Sequence, residues 1–203
     1  MALILPAALG VVRLVPASGI ASQRSRGGLL LTQRVVEPGW RGRFATDFLE
    51  QAEHQDLAAF VVDVVDRNER IDFVHPRYAR PRAYLGGVWP LATDPQLVSV
   101  THGREIVVQG LEVGMQLLRG DRLTIMQGEL RCYRAIQADL VVSSSISQAL
   151  PISPRVPVGL FAAAALVRFV DPAVRLAIVP DSYDIEESAR PGPISFEVEE
   201  ALI

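Results

Sequence analysis

Hydrophobic and polar residues alternate most regularly in the middle third of the chain. The run Arg122–Met126 is followed by the pair Gln127-Gly128 and then by a second run, Glu129–Ile136. Two alternating runs joined by a short glycine-containing turn are a strong signal for a β-hairpin. A third apolar run, Ile146–Ile152, predicts another strand of the same unit.

Upstream of this stretch the hydrophobic period changes once from two to about 3.6 residues. Apolar residues recur at helical spacing while aspartates occupy the positions between them, which predicts an amphipathic helix over about residues 53–66. Many of its residues are β-branched, so its intrinsic helix propensity is modest and packing has to hold it in place. The positions expected to face the core are Leu57, Phe60, Val61, Val64 and Val65.

Strands are predicted on both sides of this helix. Trp40, Phe44 and Phe48 fall on one face of an extended segment, with Arg43 on the other face. From Leu97 onward, short apolar runs are separated by glycines and prolines, a pattern typical of a small barrel or sandwich. We therefore predict a mainly β fold with one α-helix.

Length and charge limit the class of protein. The 203 residues are enough for one large domain or two small ones. The formal net charge of −3 does not favour nucleic acid or an anionic membrane as a partner. All 20 basic residues are arginine. This can reflect coding bias, or it can reflect protein–protein contacts, in which the planar guanidinium forms bidentate pairs.

One segment combines arginines with aromatic residues, between residues 77 and 95. Such a mixture can stack single-stranded bases, but it is equally typical of a protein interface. Because the chain is acidic overall, we favour an interface between proteins and expect no nucleic acid partner. The candidate subunit-interface residues are Trp40, Arg43, Arg77, Tyr78, Arg80, Arg82, Tyr84 and Trp89.

No pattern in the sequence predicts catalysis. The three histidines are far apart and match no metal-ligand spacing, so surface or strand-end positions are expected for them. Ser143–Ser145 lacks the glycine elbow of a hydrolase nucleophile, and Asp121 is explained by turn chemistry. Glu199 and Glu200 should point to opposite faces of a strand. Cys132 lies mid-strand and is expected to be packed. We expect no catalytic residues, cofactor or metal, and hence no enzyme.

Nothing in the sequence predicts a membrane span or an export signal. The apolar segment Leu160–Val167 is far shorter than the roughly 20 residues that cross a bilayer. The apolar amino terminus has no basic region ahead of it, and Pro6, Gly10 and Arg13 interrupt it. We therefore expect no membrane partner.

A series of features follows one another along the chain. An amino-terminal strand passes into an aromatic-containing strand, followed by one helix, a strand with Arg and Phe, a central barrel pattern, a closing Pro-x-x-Pro-Arg segment and two final strands. From the aromatic-containing strand onward, these features correspond to Pro38–Phe44, Ala52–Val65, Arg70–Phe73, Val107–Gly110 with Leu118–Ile125 and Glu129–Tyr133, Leu150–Val156, Val167–Pro172 and Ile194–Glu200. In this order, over nearly its whole length, the chain resembles the distal tail (Dit-like) proteins of siphophages and prophages.

The resemblance implies a structural protein of the virion with no chemistry to perform. A tail-tube-like β-sandwich domain would comprise residues 1–92 and 163–203, and residues 96–162 would form an inserted small β-barrel. Members form rings, here expected to be hexameric, at the tip of the phage tail. The partners implied are further copies of the chain, the tail tube protein, and the hub and fibre proteins.

Two alternatives stay open. The chain can be another tail component, such as a tube, terminator or hub protein, because these share the sandwich-plus-helix design. Less favoured is a carbohydrate-binding module of the baseplate, in which Tyr133 would be essentially the only aromatic residue of the barrel available to a sugar.

Overall fold

The computed structural model describes residues 11–17, 20–24, 30–34, 39–47, 49–185 and 192–202. In this part the chain is mainly β, as predicted, with one α-helix, α1 (Gln51–Asp66). Phe48 lies outside the described residues. The strands, in chain order, are β1 (Val11–Pro16), β2 (Ile20–Arg24), β3 (Leu30–Arg34), β4 (Trp40–Ala45), β5 (Ile71–Val74), β6 (Gln96–Thr101), β7 (Glu105–Gln109), β8 (Gln116–Leu117), β9 (Arg122–Gln127), β10 (Leu130–Ile136), β11 (Leu140–Val141), β12 (Gln148–Ser153), β13 (Leu166–Arg168), β14 (Ala173–Ile178), β15 (Asp184–Ile185) and β16 (Ile194–Glu200).

Strands from both ends of the chain form one antiparallel sheet. Its order is β1-β4-β16-β14-β5, with β15 paired to the start of β16. Val198 lies opposite Gly42 on β4 and opposite Ile178 on β14, so β16 is central. A separate two-stranded hairpin is formed by β2 and β3.

The middle of the chain closes into a six-stranded barrel of order β10-β12-β7-β6-β13-β9, with β9 paired to β10. The predicted hairpin is confirmed: β9 and β10 pair from Leu130↔Gln127 to Ala135↔Arg122. Gly128 takes the positive φ of 56° at its turn, which a residue without Cβ adopts at little cost. The strand expected over 146–152 is β12, which begins at Gln148.

Helix α1 covers part of one face of the sheet. The carboxylate of Glu53 accepts the backbone N–H of Glu50 at 3.3 Å, which satisfies one of the free donors at the helix start. Leu57, Val61 and Val64 are buried, and Phe60 and Val65 are half-buried against the same cluster, as the spacing predicted. His54 is also buried on this face, so the surface position expected for it is wrong.

Two hydrophobic cores share β10 as a common wall. Cys132 and Ile136 point into the barrel, whereas Tyr133 and Ala135 point outward to the core between the sheet and α1. This alternation is the ordinary period of a strand, but here both faces are covered. The run 132–136 is therefore buried throughout.

The barrel interrupts the sheet between β5 and β14. Its strands extend from β6 to β13, so Leu166–Arg168 belongs to the barrel although it lies beyond residue 162, the predicted end of the insertion. Leu166 pairs with Gln96 on one side and Met126 on the other, and these pairings close the barrel. The wider division into domains 1–92 with 163–203, and 96–162, stays a prediction.

Gly42 permits the close approach of β1 to β4. A Cβ at this position would lie 2.3 Å from the carbonyl oxygen of Arg13 and 2.7 Å from Leu14 Cδ2. A glycine inside a strand often marks such an approach of two backbones. The β1–β4 pairing therefore depends on this glycine.

We predict that Gly42→Ala lowers the free energy of unfolding by about 1–3 kcal/mol, because the added methyl overpacks against backbone. Gly86→Ala is the matched control, since a Cβ there meets nothing within 4 Å, and it should change stability by less than about 0.5 kcal/mol. Urea unfolding of both variants measures the difference. Equal stabilities would contradict this account of Gly42.

Candidate interaction site

Six of the eight candidate interface residues lie in the segment that carries the chain from β5 to β6. This crossing segment, residues 75–95, contains two short 3-10 helices, Pro76–Tyr78 and Arg82–Tyr84. Proline fixes φ and suits the first position of a helical turn. The segment folds back on the barrel, and the backbone N–H of Asp171 donates to the carbonyl oxygen of Ala79 at 2.7 Å.

The later aromatic residues of the crossing segment contact the protein itself. Tyr84 and Trp89 meet edge to face, with ring centroids 5.3 Å apart, and Trp89 lies 6.0 Å from Phe169. The hydroxyl of Tyr84 accepts the backbone N–H of Gln116 at 3.0 Å. Both rings are half-buried against the barrel core, so only part of each is open to a partner.

Asp121 holds the crossing segment in place through hydrogen bonds. Its side chain is 1% exposed, and Oδ1 accepts the backbone N–H of Arg82 at 3.1 Å and the Nε–H at 3.4 Å. Oδ2 accepts the N–H of Leu118 at 2.8 Å within its own turn. The turn role was predicted, but the second role was not, because the two segments are 39 residues apart.

The arginines of the segment remain on the surface. Arg77 and Arg80 are exposed, and neither forms an ion pair with another described residue. The Arg82 side chain is 53% exposed despite its bond to Asp121. These three guanidinium groups are the parts of the crossing segment's predicted set that can still reach another molecule.

Arg122 stacks on two aromatic rings where the crossing segment meets the sheet. The guanidinium of Arg122 is 4.4 Å from the ring centroid of Trp40 and 4.6 Å from that of Tyr78. Such cation–π contacts contribute about 0.5–2 kcal/mol, most when the cation is shielded from water. Trp40 is only 2% exposed, and its Nε1–H donates to the carbonyl oxygen of Tyr133 at 2.7 Å. The structure therefore places Trp40 in the core, with almost no surface to offer a neighbouring subunit.

Arg134 and Glu200 form a buried ion pair beside this stack. Their side chains are 1% and 2% exposed, and Arg134 Nη1 lies 2.8 Å from both carboxylate oxygens. The carboxylate also accepts the backbone N–H groups of Tyr133 at 2.9 Å and Trp40 at 3.2 Å. Burial raises the pKa of Glu200, against the opposing effect of the Arg134 guanidinium and these two donors. The pair joins β4, β10 and β16.

The opposite face of the sheet carries exposed charges. Arg43 is exposed there and donates to the Ser195 hydroxyl at 3.0 Å. Arg41 and Glu199 form an ion pair at 3.3 Å, with 65% and 48% of their side chains exposed. Glu199 and Glu200 thus point to opposite faces, as predicted. Arg43 remains accessible to a partner.

The remaining reactive side chains form no site in the part of the chain described. Burial raises the pKa of Cys132 to about 12, so its thiol stays protonated and packed at neutral pH. No group of three or more His, Cys, Asp or Glu residues within the described ranges is arranged to hold a metal ion. Tyr133 is 2% exposed, which leaves almost none of its ring available to a sugar. Among the described helical residues, no helix is long and apolar enough to cross a membrane.

No family model matches the chain, and no curated protein matches it at a significant level.

We predict that Glu200→Ala lowers the free energy of unfolding by about 3–5 kcal/mol, because it leaves the Arg134 charge buried without a partner. The adjacent Glu199→Ala removes only a solvent-exposed pair and should cost about 0–1 kcal/mol. Urea unfolding followed by circular dichroism compares the two variants. Equal losses would contradict a stabilising role for the buried pair.

His75 is a pH-sensitive residue at the start of the crossing segment. Its Nδ1 accepts the backbone N–H of Arg77 at 3.2 Å, and its ring lies edge to face with Tyr78 at 4.8 Å. Burial, followed by the charges of Arg77 and Arg122, lowers the pKa of His75 below 6.5. The neutral imidazole is the form that the fold accommodates.

We predict that the packing of neutral His75 contributes most to stability above pH 6.5, and that this contribution falls as the pH drops below 6.5. The unfolded chain has the higher histidine pKa and so binds the proton more tightly. His75→Gln should reduce the loss of stability between pH 7.5 and pH 5.5, measured by urea unfolding. His102→Asn, at an exposed turn residue with φ of 49°, is the control and should keep the wild-type slope. A wild-type slope in His75→Gln would contradict the prediction.

Proposed function

We propose that this chain is a structural subunit of a long-tailed bacteriophage virion. In this proposal, copies of the chain form a hexameric ring at the distal end of the tail. The ring joins the tail tube protein on one side to the hub and fibre proteins on the other. The role requires surfaces that fit neighbouring subunits and no catalytic group.

The observation that carries the proposal is the topology. Strands from both ends of the chain build one sheet with α1 on its face, and a closed barrel is inserted between β5 and β14. Both features support the resemblance to distal tail proteins, which implies a tube-like β-sandwich domain with an inserted barrel. Tube, terminator and hub proteins of the tail are the alternative, since they share the sandwich-plus-helix design.

The surface also suits repeated contacts between copies. Arginines on the crossing segment and on the outer face of the sheet are exposed. In a heterologous contact, one surface of each copy binds a different surface of the next copy. Such contacts close into a ring when the rotation from one copy to the next is a whole fraction of 360°. Such a contact is expected to bury about 1,000 Å² or more in total.

We predict that the purified full-length chain forms a closed ring, with six subunits as the expected number. Negative-stain electron microscopy and native mass spectrometry measure its shape and mass. A tagged copy in virions should be labelled at the tail tip, whereas labelling along the tube or at the head would support the alternative tail components. A monomer at concentrations of several hundred micromolar would contradict the proposal.

A further inference from the structure

An apolar groove with acidic edges lies between α1 and β15. Its volume is about 710 Å³. The apolar lining includes Ala58, Val62 and Ile185, and Val62 is 40% exposed. A large apolar side chain left open beside a concave surface is typical of a protein contact.

The edges of this groove carry Asp63, Asp66 and Asp184. Asp63 forms an ion pair with Arg67 at 2.9 Å, so part of its charge is balanced within the helix. Asp66 and Asp184 form no ion pair with another described residue. The groove therefore favours a segment that combines exposed apolar side chains with basic ones.

The crossing segment of this same chain has that composition. Leu85 is 64% exposed and Val88 is 88% exposed, the largest value among the exposed large hydrophobic residues described. Arg77 and Arg80 are exposed on the same segment and form no ion pair with another described residue. Buried apolar side chains with arginines around them are a common composition for protein contacts.

A copy of the chain cannot fill its own groove with its own segment. β15 pairs at the start of β16, where Asp184 lies opposite Ser195. The crossing segment leaves the sheet at the other end of β14, where Val74 lies opposite Ala173, and then packs on the barrel. The two surfaces thus lie at opposite ends of the sheet, and only a second copy can bring them together.

We propose that the groove of one copy binds residues 77–88 of the crossing segment of the next copy, with Leu85 and Val88 in the groove and Arg77 and Arg80 beside Asp66 and Asp184. The contact is heterologous, so each copy uses one surface to bind and the other to be bound. The inference rests on the proposed ring, for which it specifies the two contacting surfaces.

Charge reversal tests this pairing in the full-length chain. Asp66→Arg places a cation in the last turn of α1, where a positive charge interacts favourably with the helix dipole. Folding should therefore be preserved. Arg80→Glu changes an exposed side chain that has no partner among the described residues. Each variant should weaken assembly at least about tenfold, because like charges then meet at the contact. Glu112→Arg and Arg104→Glu are the controls and should assemble as wild type, because both residues are exposed and belong neither to the groove lining nor to residues 77–88.

Mixing the two reversed variants gives the decisive result. In an equimolar mixture, unlike charges meet at every contact if the variants alternate around the ring, and an even-numbered ring can close. We expect native mass spectrometry to detect monomers for each variant alone, and assembly restored in the mixture and in the double variant Asp66→Arg/Arg80→Glu.

The possible outcomes separate this inference from the proposed function. A wild-type ring that survives both reversals would overturn the groove contact and leave the ring proposal standing. Open chains that are sensitive to both reversals would support the contact and contradict the ring. A wild-type protein that stays monomeric at several hundred micromolar would overturn both.

Discussion

The architecture depends on a desolvated ion pair at the junction between the sheet and the barrel. Glu200 lies on the core face of β16 and reaches Arg134 of the barrel wall, with both side chains almost fully buried. Two charges in such an environment are tolerated only when hydrogen bonds satisfy their remaining atoms. Here two backbone N–H groups complete the carboxylate, and the carbonyl oxygens of Tyr133 and Arg155 accept from the guanidinium. Because these partners come from separate segments, the pair forms only when the segments assemble together.

The shared wall β10 extends this coupling into both cores. Its alternate side chains pack into the barrel on one side and against Trp40 on the other, where ring centroids of Trp40 and Tyr133 are 5.5 Å apart. The C-terminal segment continues the connection, since the N–H of Arg131 donates to Leu202 and that of Ala201 donates to Arg175. A barrel joined to a sheet in this way has little freedom to hinge, because separation would expose a charge pair and two apolar faces together.

This internal packing determines which residues remain for other molecules. Trp40 and much of Tyr84 and Trp89 are used inside the protomer, whereas Arg43, Arg77 and Arg80 stay at the surface. A subunit that assembles with other copies needs a rigid structure and accessible contact residues. The hydrogen bond from Arg82 to Asp121 holds the crossing segment in place, and the arginines and Val88 of that segment remain exposed. The proposed groove contact uses residues that this division leaves at the surface.

The sequence by itself determined the local structure. Alternation over 122–136 predicted the β9–β10 hairpin, helical spacing predicted α1, and strand parity placed Glu199 and Glu200 on opposite faces, because these features depend on neighbours within a few residues. Only the tertiary structure decided what the side chains contact. Trp40 belongs to the core, His54 is buried, Asp121 holds Arg82 and Leu166–Arg168 completes the barrel, because each of these depends on segments that are distant in sequence. Composition indicates that arginines and aromatic residues are abundant in one segment, but burial alone separates those that hold the protomer together from those left free to bind.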